Sequence, residues 1–202
     1  MMNRRVFLGW AAALGSGLLL GAPRPAKARA VKPPLLTFYG ATQQVSGSCH
    51  LLVTGGGLFL VDCGLFYSDM RDSKRENESF PFNPKEVKAV FLTHAHIDHN
   101  GRLPLLYERG FRGPVYCTDA TRDLSRVMLE MSQRIGVGID DPAPLYQKES
   151  IDGVLDLVKA VRYNTKLDAH GLTFRYTDAG HILGSAMVEI WVDGFKILFS
   201  GD

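Results

Sequence analysis

Thr93-His94-Ala95-His96-Ile97-Asp98-His99 gathers three imidazoles and one carboxylate within six positions, at the carboxyl end of the apolar run 87–93. Along an extended backbone, alternate side chains point to opposite faces, so His94 and His96 share one side. A turn at Ile97 brings Asp98 and His99 back to the same space from the start of a following helix. Four such groups beside an apolar strand would be costly to desolvate without a partner. Imidazole nitrogen and carboxylate oxygen suit borderline-soft zinc, and their crowding lets one group of ligands serve one ion and the next group a neighbouring ion.

Further along the chain are groups able to complete such a site. Asp178-Ala179-Gly180-His181 follows an apolar strand, so His181 can finish the first ion's ligand set. Asp202 is delivered by the strand Phe195 to Ser200 and can bridge both ions. Asp62 ends the run Leu58 to Val61 and can orient a ligand histidine from behind the metal. His50 and His170 have no companions and are read as a core or surface histidine.

Period-two apolar runs predict strands at Leu35 to Tyr39, Ser48 to Thr54, Leu58 to Asp62, Val87 to Thr93, Val115 to Cys117, Leu172 to Thr177, Ala186 to Val192 and Phe195 to Ser200. Helices are expected at Leu103 to Glu108 and at Ala120 to Arg134, the latter capped by Thr118 or Asp119 with a stripe of Leu124, Val127, Met128 and Met131. Another is expected at Tyr146 to Val161, interrupted or weakened at Gly153. The segment Tyr67 to Pro84 reads as a polar loop. Strands first, then mixed helices and strands, imply an α+β fold of sheets covered by helices. The chain stops just as an apolar strand delivers Asp202, and is read as truncated there, with more of its core to follow.

With 46% hydrophobic and 22% charged residues, the 202-residue chain suits one globular domain rather than a disordered or fibrous one. Its net charge of +2 includes five cations within residues 1–30 and no acid there, which leaves the rest at −3. A mildly acidic body disfavours nucleic-acid binding through broad positive charge and requires a local groove instead. Asn3-Arg4-Arg5, the apolar run Val6 to Gly21 and small residues at Ala28 and Ala30 read as an export signal cleaved after Ala30, with 31–34 as a linker and 35–202 as the domain. Arg4-Arg5-Val6-Phe7-Leu8 resembles a twin-arginine signal, which implies a periplasmic product with no retained membrane span. Cys49, Cys63 and Cys117 are read as core residues, with a Cys49–Cys63 bridge as the alternative in an oxidising compartment.

The pattern His94-x-His96-x-Asp98-His99, with Asp62 before it and His181 and Asp202 after, resembles the metallo-β-lactamase superfamily and its αββα sandwich. Longer phrases are similar to the β-CASP nucleases within it: Gly47-Ser48-Cys49-His50-Leu51-Leu52, Leu60-Val61-Asp62-Cys63-Gly64, Gly101-Arg102-Leu103-Pro104 and Asp178-Ala179-Gly180-His181-Ile182-Leu183-Gly184-Ser185-Ala186, together with the run Cys117 to Leu124. The resemblance implies the N-terminal portion of such a domain. In it His94, His96 and His181 hold one zinc, Asp98 and His99 a second, Asp202 bridges, Asp62 supports and Asp98 orients the attacking water. It further implies two Zn²⁺ ions, an RNA or other nucleic-acid phosphodiester substrate, and a last histidine beyond Asp202.

Two competing expectations remain at this stage. One is an exported hydrolase of the same fold acting on a small ester, thioester or lactone. The other is a metal-binding but non-catalytic fragment. A β-lactamase proper fits less well, because Asp202 stands where those enzymes generally carry a cysteine.

Overall fold

Strand β4 (Val87–Phe91) is buried on both faces, and the rest of the fold is built around it. The computed structural model describes residues 32–67, 75–135 and 144–202, and the expected export signal over residues 1–30 lies outside them. β4 is a central strand of a six-stranded sheet in the order β1-β2-β3-β4-β5-β6. The outer strands are β1 (Leu35–Phe38), β2 (His50–Thr54) and β3 (Gly57–Val61) on one side, and β5 (Val115–Cys117) and β6 (Val158–Ala160) on the other. β1 to β3 pair antiparallel, whereas β3 to β6 run parallel and so require crossovers. The helices that supply or follow those crossovers are α1 (Ile97–Asn100), α2 (Leu103–Glu108), α3 (Asp119–Ile135) and α4 (Lys148–Leu155). A second sheet, an antiparallel meander in the order β10-β9-β8-β7, comprises β7 (Lys166–Ala169), β8 (Leu172–Asp178), β9 (Ala186–Val192) and β10 (Phe195–Phe199).

Period-two alternation divides each strand of the first sheet between two cores. Leu51, Leu60, Val90, Val115 and Cys117 face the helices and pack with Leu103, Leu105, Leu106, Leu129, Ile151 and Val154. Leu52, Phe59, Val61, Ala89 and Phe91 point the other way, against Phe174, Tyr176, Val188, Ile190 and Val192 of the second sheet. Phe91 anchors this interface, its ring centroid 4.9 Å from that of Phe174 and 5.5 Å from that of Tyr116. The layers are therefore helix, sheet, sheet, and both cores meet at β4, whose carboxyl end opens into the histidine cluster.

Three expectations need correction. The helix expected over Tyr146 to Val161 ends at Leu155, and Val158–Ala160 is strand β6. The open edge of β5 captures it, with Val115 N donating to Leu157 O and Val161 N to Cys117 O, so tertiary pairing overrides the helical pattern. Gly153 does not interrupt α4. An added Cβ there would lie 2.4 Å from the Tyr107 ring, so the glycine allows α4 to approach α2. The expected stripe on α3 is also displaced: the buried positions are Thr121, Ser125 and Leu129, while Val127 and Met131 are exposed. Polar contacts turn the helix this way, as Ser125 Oγ accepts from Asn100 Nδ2 and Thr121 Oγ1 donates to Gly184 O.

The three cysteines are free and buried. Among the described residues no helix is long and apolar enough to cross a membrane. The segment expected as a polar loop is helical at residues 75–78, and Asn77 within it donates to Phe66 O and accepts from Phe66 N at 2.8 Å each.

Candidate metal centre

The loop after β4 is held mainly by backbone. The α1 carbonyls of Ile97, Asp98 and His99 accept from Leu65 N, Ser48 N and Cys63 N, so a four-residue helix that could not persist alone has its orphan acceptors satisfied. Asn100, fully buried, donates to Ala95 O at 3.0 Å. Arg102, 2% exposed, donates to Gly64 O, Glu76 O and Ser79 O and lies over the rings of Phe66 and Phe80. Gly64 packs directly under α1, where a Cβ would fall 1.5 Å from Asp98 O.

Asp62 sits one residue past β3 with a left-handed φ of 61°, a conformation that turns its carboxylate under the loop. There it accepts from Thr93 N at 2.8 Å, from Thr93 Oγ1 at 3.0 Å, from Ser48 Oγ at 3.3 Å and from His99 Nδ1 at 2.7 Å. Since an ionised carboxylate only accepts, His99 carries its proton on Nδ1 and turns the Nε2 lone pair to the site. The same logic extends to His94. The Thr93 hydroxyl gives its proton to Asp62 and accepts from His94 Nδ1 at 3.0 Å, which leaves His94 Nε2 bare. One buried carboxylate thus sets the tautomer of two histidines.

The ring nitrogens converge. His96 Nδ1 lies 3.1 Å from His94 Nε2 and 3.0 Å from His181 Nε2. Donor atoms of His94, His96, His181 and Asp202 all lie within 4.8 Å of one another. A tetrahedral ion with Zn–N bonds of 2.0–2.1 Å would hold such nitrogens about 3.3 Å apart, so the three imidazoles are already spaced for one zinc ion. Asp202 faces both sides of the cluster: Oδ1 is 3.3 Å from His99 Nε2, and Oδ2 is 3.9 Å from both His94 Nε2 and His181 Nε2. Asp98 Oδ2 lies 3.8 Å from His99 Nε2. Burial, followed by the nearby His99, pushes the His94 pKa down to about 4, keeping the ring neutral and able to donate a lone pair. Burial opposes charge on His99, yet the hydrogen bond it donates to Asp62 and the charges of Asp62, Asp202 and Asp98 outweigh it and raise that pKa.

His181 arrives on the loop between β8 and β9. Ser185 Oγ accepts from His181 N and Ile182 N, Gly184 O accepts from Thr118 Oγ1 and Thr121 Oγ1 at 2.8 Å each, and Ala186 N donates to Thr93 O. All seven residues singled out in the sequence therefore meet at one end of the two sheets. His50, half-buried between the rings of Phe38 and Phe199, lines one cavity with Asp62, His99 and Asp202, its Nε2 3.4 Å from Ser48 Oγ, and His170 lies in the β7–β8 turn. Sequence reasoning passed over Thr93, Ser48 and Tyr67. Burial, followed by the charges of Asp98 and Asp202, raises the pKa of Tyr67.

Residues 42–202 match the metallo-β-lactamase superfamily. The chain belongs to this superfamily. Within it, the β-CASP resemblance carried by the longer phrases holds. The chain is 40% identical over 164 residues to ribonuclease TTHA0252 of Thermus thermophilus, a match covering 81% of this chain and 36% of the ribonuclease. It is 35% identical over 179 residues to the transcription termination factor FttA of Methanosarcina mazei, covering 83% of this chain and 27% of that factor. The chain thus spans about a third of the length of these curated relatives. Among solved structures it superposes on the metallo-β-lactamase fold protein YhfI of Bacillus subtilis with a TM-score of 0.54 and 18% identity, over 85% of this chain and 64% of that one. That likeness concerns the fold alone. Membership of the metallo-β-lactamase superfamily implies metal binding, and the converging nitrogens fit it.

Proposed function

We propose that this domain forms the metal-binding portion of a two-zinc ribonuclease of the β-CASP type, in which His94, His96 and His181 hold one ion, Asp98 and His99 the other, and Asp202 bridges them. The observation that carries the reading is the placement of Asp202, whose two oxygens face the two histidine groups separately. The identity with a ribonuclease supports the substrate class. When bound, a pair of zinc ions supplies Lewis acidity toward the phosphoryl oxygens and lowers the pKa of the attacking water.

The chain's own residues do the rest. Asp98, 8% exposed, orients the attacking water through its carboxylate. Asp62 and Thr93 keep His99 and His94 in the ligating tautomer, so no proton has to be relocated before binding. The Gly184 and Ser185 contacts hold His181 in reach of His96. Export through the twin-arginine-like leader is part of the same proposal, tested by fractionating cells that express a tagged full-length protein.

The deciding experiment offers end-labelled single-stranded RNA, and separately a lactone and a thioester, to the zinc-loaded full-length protein and its His96→Ala variant. Cleavage of RNA that disappears with His96→Ala, together with a fall in bound zinc, is expected. Turnover of the small esters without RNA cleavage would transfer the site to the competing hydrolase class, and unaltered RNA cleavage by the variant would remove the site assignment.

A further inference from the structure

His50 opens β2, and its ring sits between two aromatic neighbours. It pairs with Phe38 and Val61 across the sheet, the Phe38 ring meets it edge-on with centroids 5.0 Å apart, and the Phe199 ring of β10 stacks on it at 6.0 Å. An apolar side chain would serve that packing better. The imidazole instead brings a nitrogen, Nδ1, that is buried and finds no hydrogen-bond partner among the described residues, a desolvated polar atom with nothing to offset it. Packing alone does not account for a histidine here.

The other ring nitrogen does. His50 Nε2 lies 3.4 Å from Ser48 Oγ, which lies 3.3 Å from Asp62 Oδ2, the oxygen that also accepts from His99 Nδ1 at 2.7 Å. An ionised carboxylate only accepts, so the Ser48 hydroxyl gives its proton to Asp62 and can receive one only from His50. His50 therefore carries its proton on Nε2. The Ser48 backbone is already committed, with N donating to Asp98 O and O accepting from Gly64 N at 2.8 Å each, so only its hydroxyl is left to turn. A donor behind that hydroxyl fixes where its proton points. All four residues of this chain line one cavity of about 310 Å³ together with Asp202.

Resting on the reading above that His99 binds zinc, we propose that His50 is a positioning residue of the metal centre: its Nε2–H aims the Ser48 hydroxyl at Asp62, and Asp62 holds His99 as a ligand. No proton moves along the chain. Each link fixes the direction of the next.

The test measures zinc affinity of the full-length protein by competition with a fluorescent chelator, for wild type, His50→Phe, His50→Gln, Ser48→Ala and the double variant Ser48→Ala/His50→Phe. Phenylalanine keeps a ring between Phe38 and Phe199 without a donor, whereas the glutamine amide places an N–H about where Nε2 stands. His50→Phe is expected to weaken zinc binding about five- to tenfold, at or below the lower end of what groups touching a ligand contribute, and His50→Gln to stay within about twofold of wild type. Ser48→Ala should lose at least as much by itself, and the double variant no more than Ser48→Ala, because both changes break one chain. Wild-type affinity in His50→Phe would overturn the proposal. So would a loss shared by His50→Gln, or one that adds in full to that of Ser48→Ala, since either marks the packing of the ring as the cause. Ser48→Ala leaves that packing untouched, so wild-type affinity in it overturns the proposal even if His50→Phe does not fold. A wild type that binds no zinc overturns the metal-centre reading and this inference together, an outcome distinct from normal binding with an indifferent His50.

Discussion

Asp62 Oδ2 lies 2.7 Å from His99 Nδ1, and the same carboxylate reaches His94 through the Thr93 hydroxyl. Replacing it should therefore disturb two ligand histidines at once. Asp62→Asn offers an amide that can donate as well as accept, so the tautomers of His99 and His94 are no longer forced. Support of this kind typically contributes 10- to 100-fold in metal affinity, and a loss of about that size is expected. Competition against a fluorescent zinc chelator measures it. An affinity within about twofold of wild type would mean that the histidines hold their orientation without Asp62.

The candidate ligands were legible because such groups come as unusual residue types at the ends of apolar strands: His94, His96, Asp98, His99, His181 and Asp202 each stand where a strand or its following turn stops. The supporting hydroxyls were not. Ser48, Thr93 and Thr121 are ordinary residues in sequence, and acquire a role only when a carboxylate 31 positions away, or a carbonyl 63 positions away, is brought within reach. The same limit explains α3. Leu124, Val127 and Met131 form a good apolar stripe, but the hydrogen bonds of Thr121 and Ser125 decide which face turns inward. β6 was missed since three residues directly after a helix carry almost no period of their own.

Gly64 and Gly171 make a controlled pair. A Cβ at Gly64 would fall 1.5 Å from Asp98 O and 2.8 Å from His99 N, both backbone atoms that cannot swing aside. At Gly171 a Cβ meets nothing within 4 Å, and only its φ of 82° is unfavourable. Gly171→Ala should cost about 1 kcal/mol, the usual penalty for a left-handed residue. Gly64→Ala should cost about 3 kcal/mol or more and weaken zinc binding as α1 is pushed away. Urea unfolding of both variants gives the comparison, and equal losses would show that the loop yields freely.

Arg102 is buried, and its charge is met by three carbonyls and two aromatic faces. Lysine keeps the charge but has neither the planar fork nor the reach to serve Gly64 O, Glu76 O and Ser79 O together. Arg102→Lys should therefore destabilise the domain by about 2–3 kcal/mol, the scale of hydrogen bonds from a charged donor that leave buried acceptors unsatisfied. A thermal melt within a degree of wild type would contradict the geometry.

Glu189 stands on the outer face of the second sheet, paired with Arg175 and Lys196, and its hydrogen bonds to those two cations hold its pKa at about 2 against an ordinary 4.5. The folded value is depressed, so the pairing contributes fully above the unfolded value and is lost as pH falls from about 4.5 through about 2. Because Arg175 and Lys196 are 31% and 49% exposed, solvent screens the pairs and the contribution should be about 1 kcal/mol. Glu189→Gln should then be less stable than wild type by about that amount at neutral pH, with the gap closing on acidification through that window and narrowing also at high salt. Parallel urea titrations at a series of pH values follow the difference between the two proteins, which cancels the other carboxylates. A gap that stays constant down to the lower value would mean that Glu189 stabilises the sheet by packing rather than by charge.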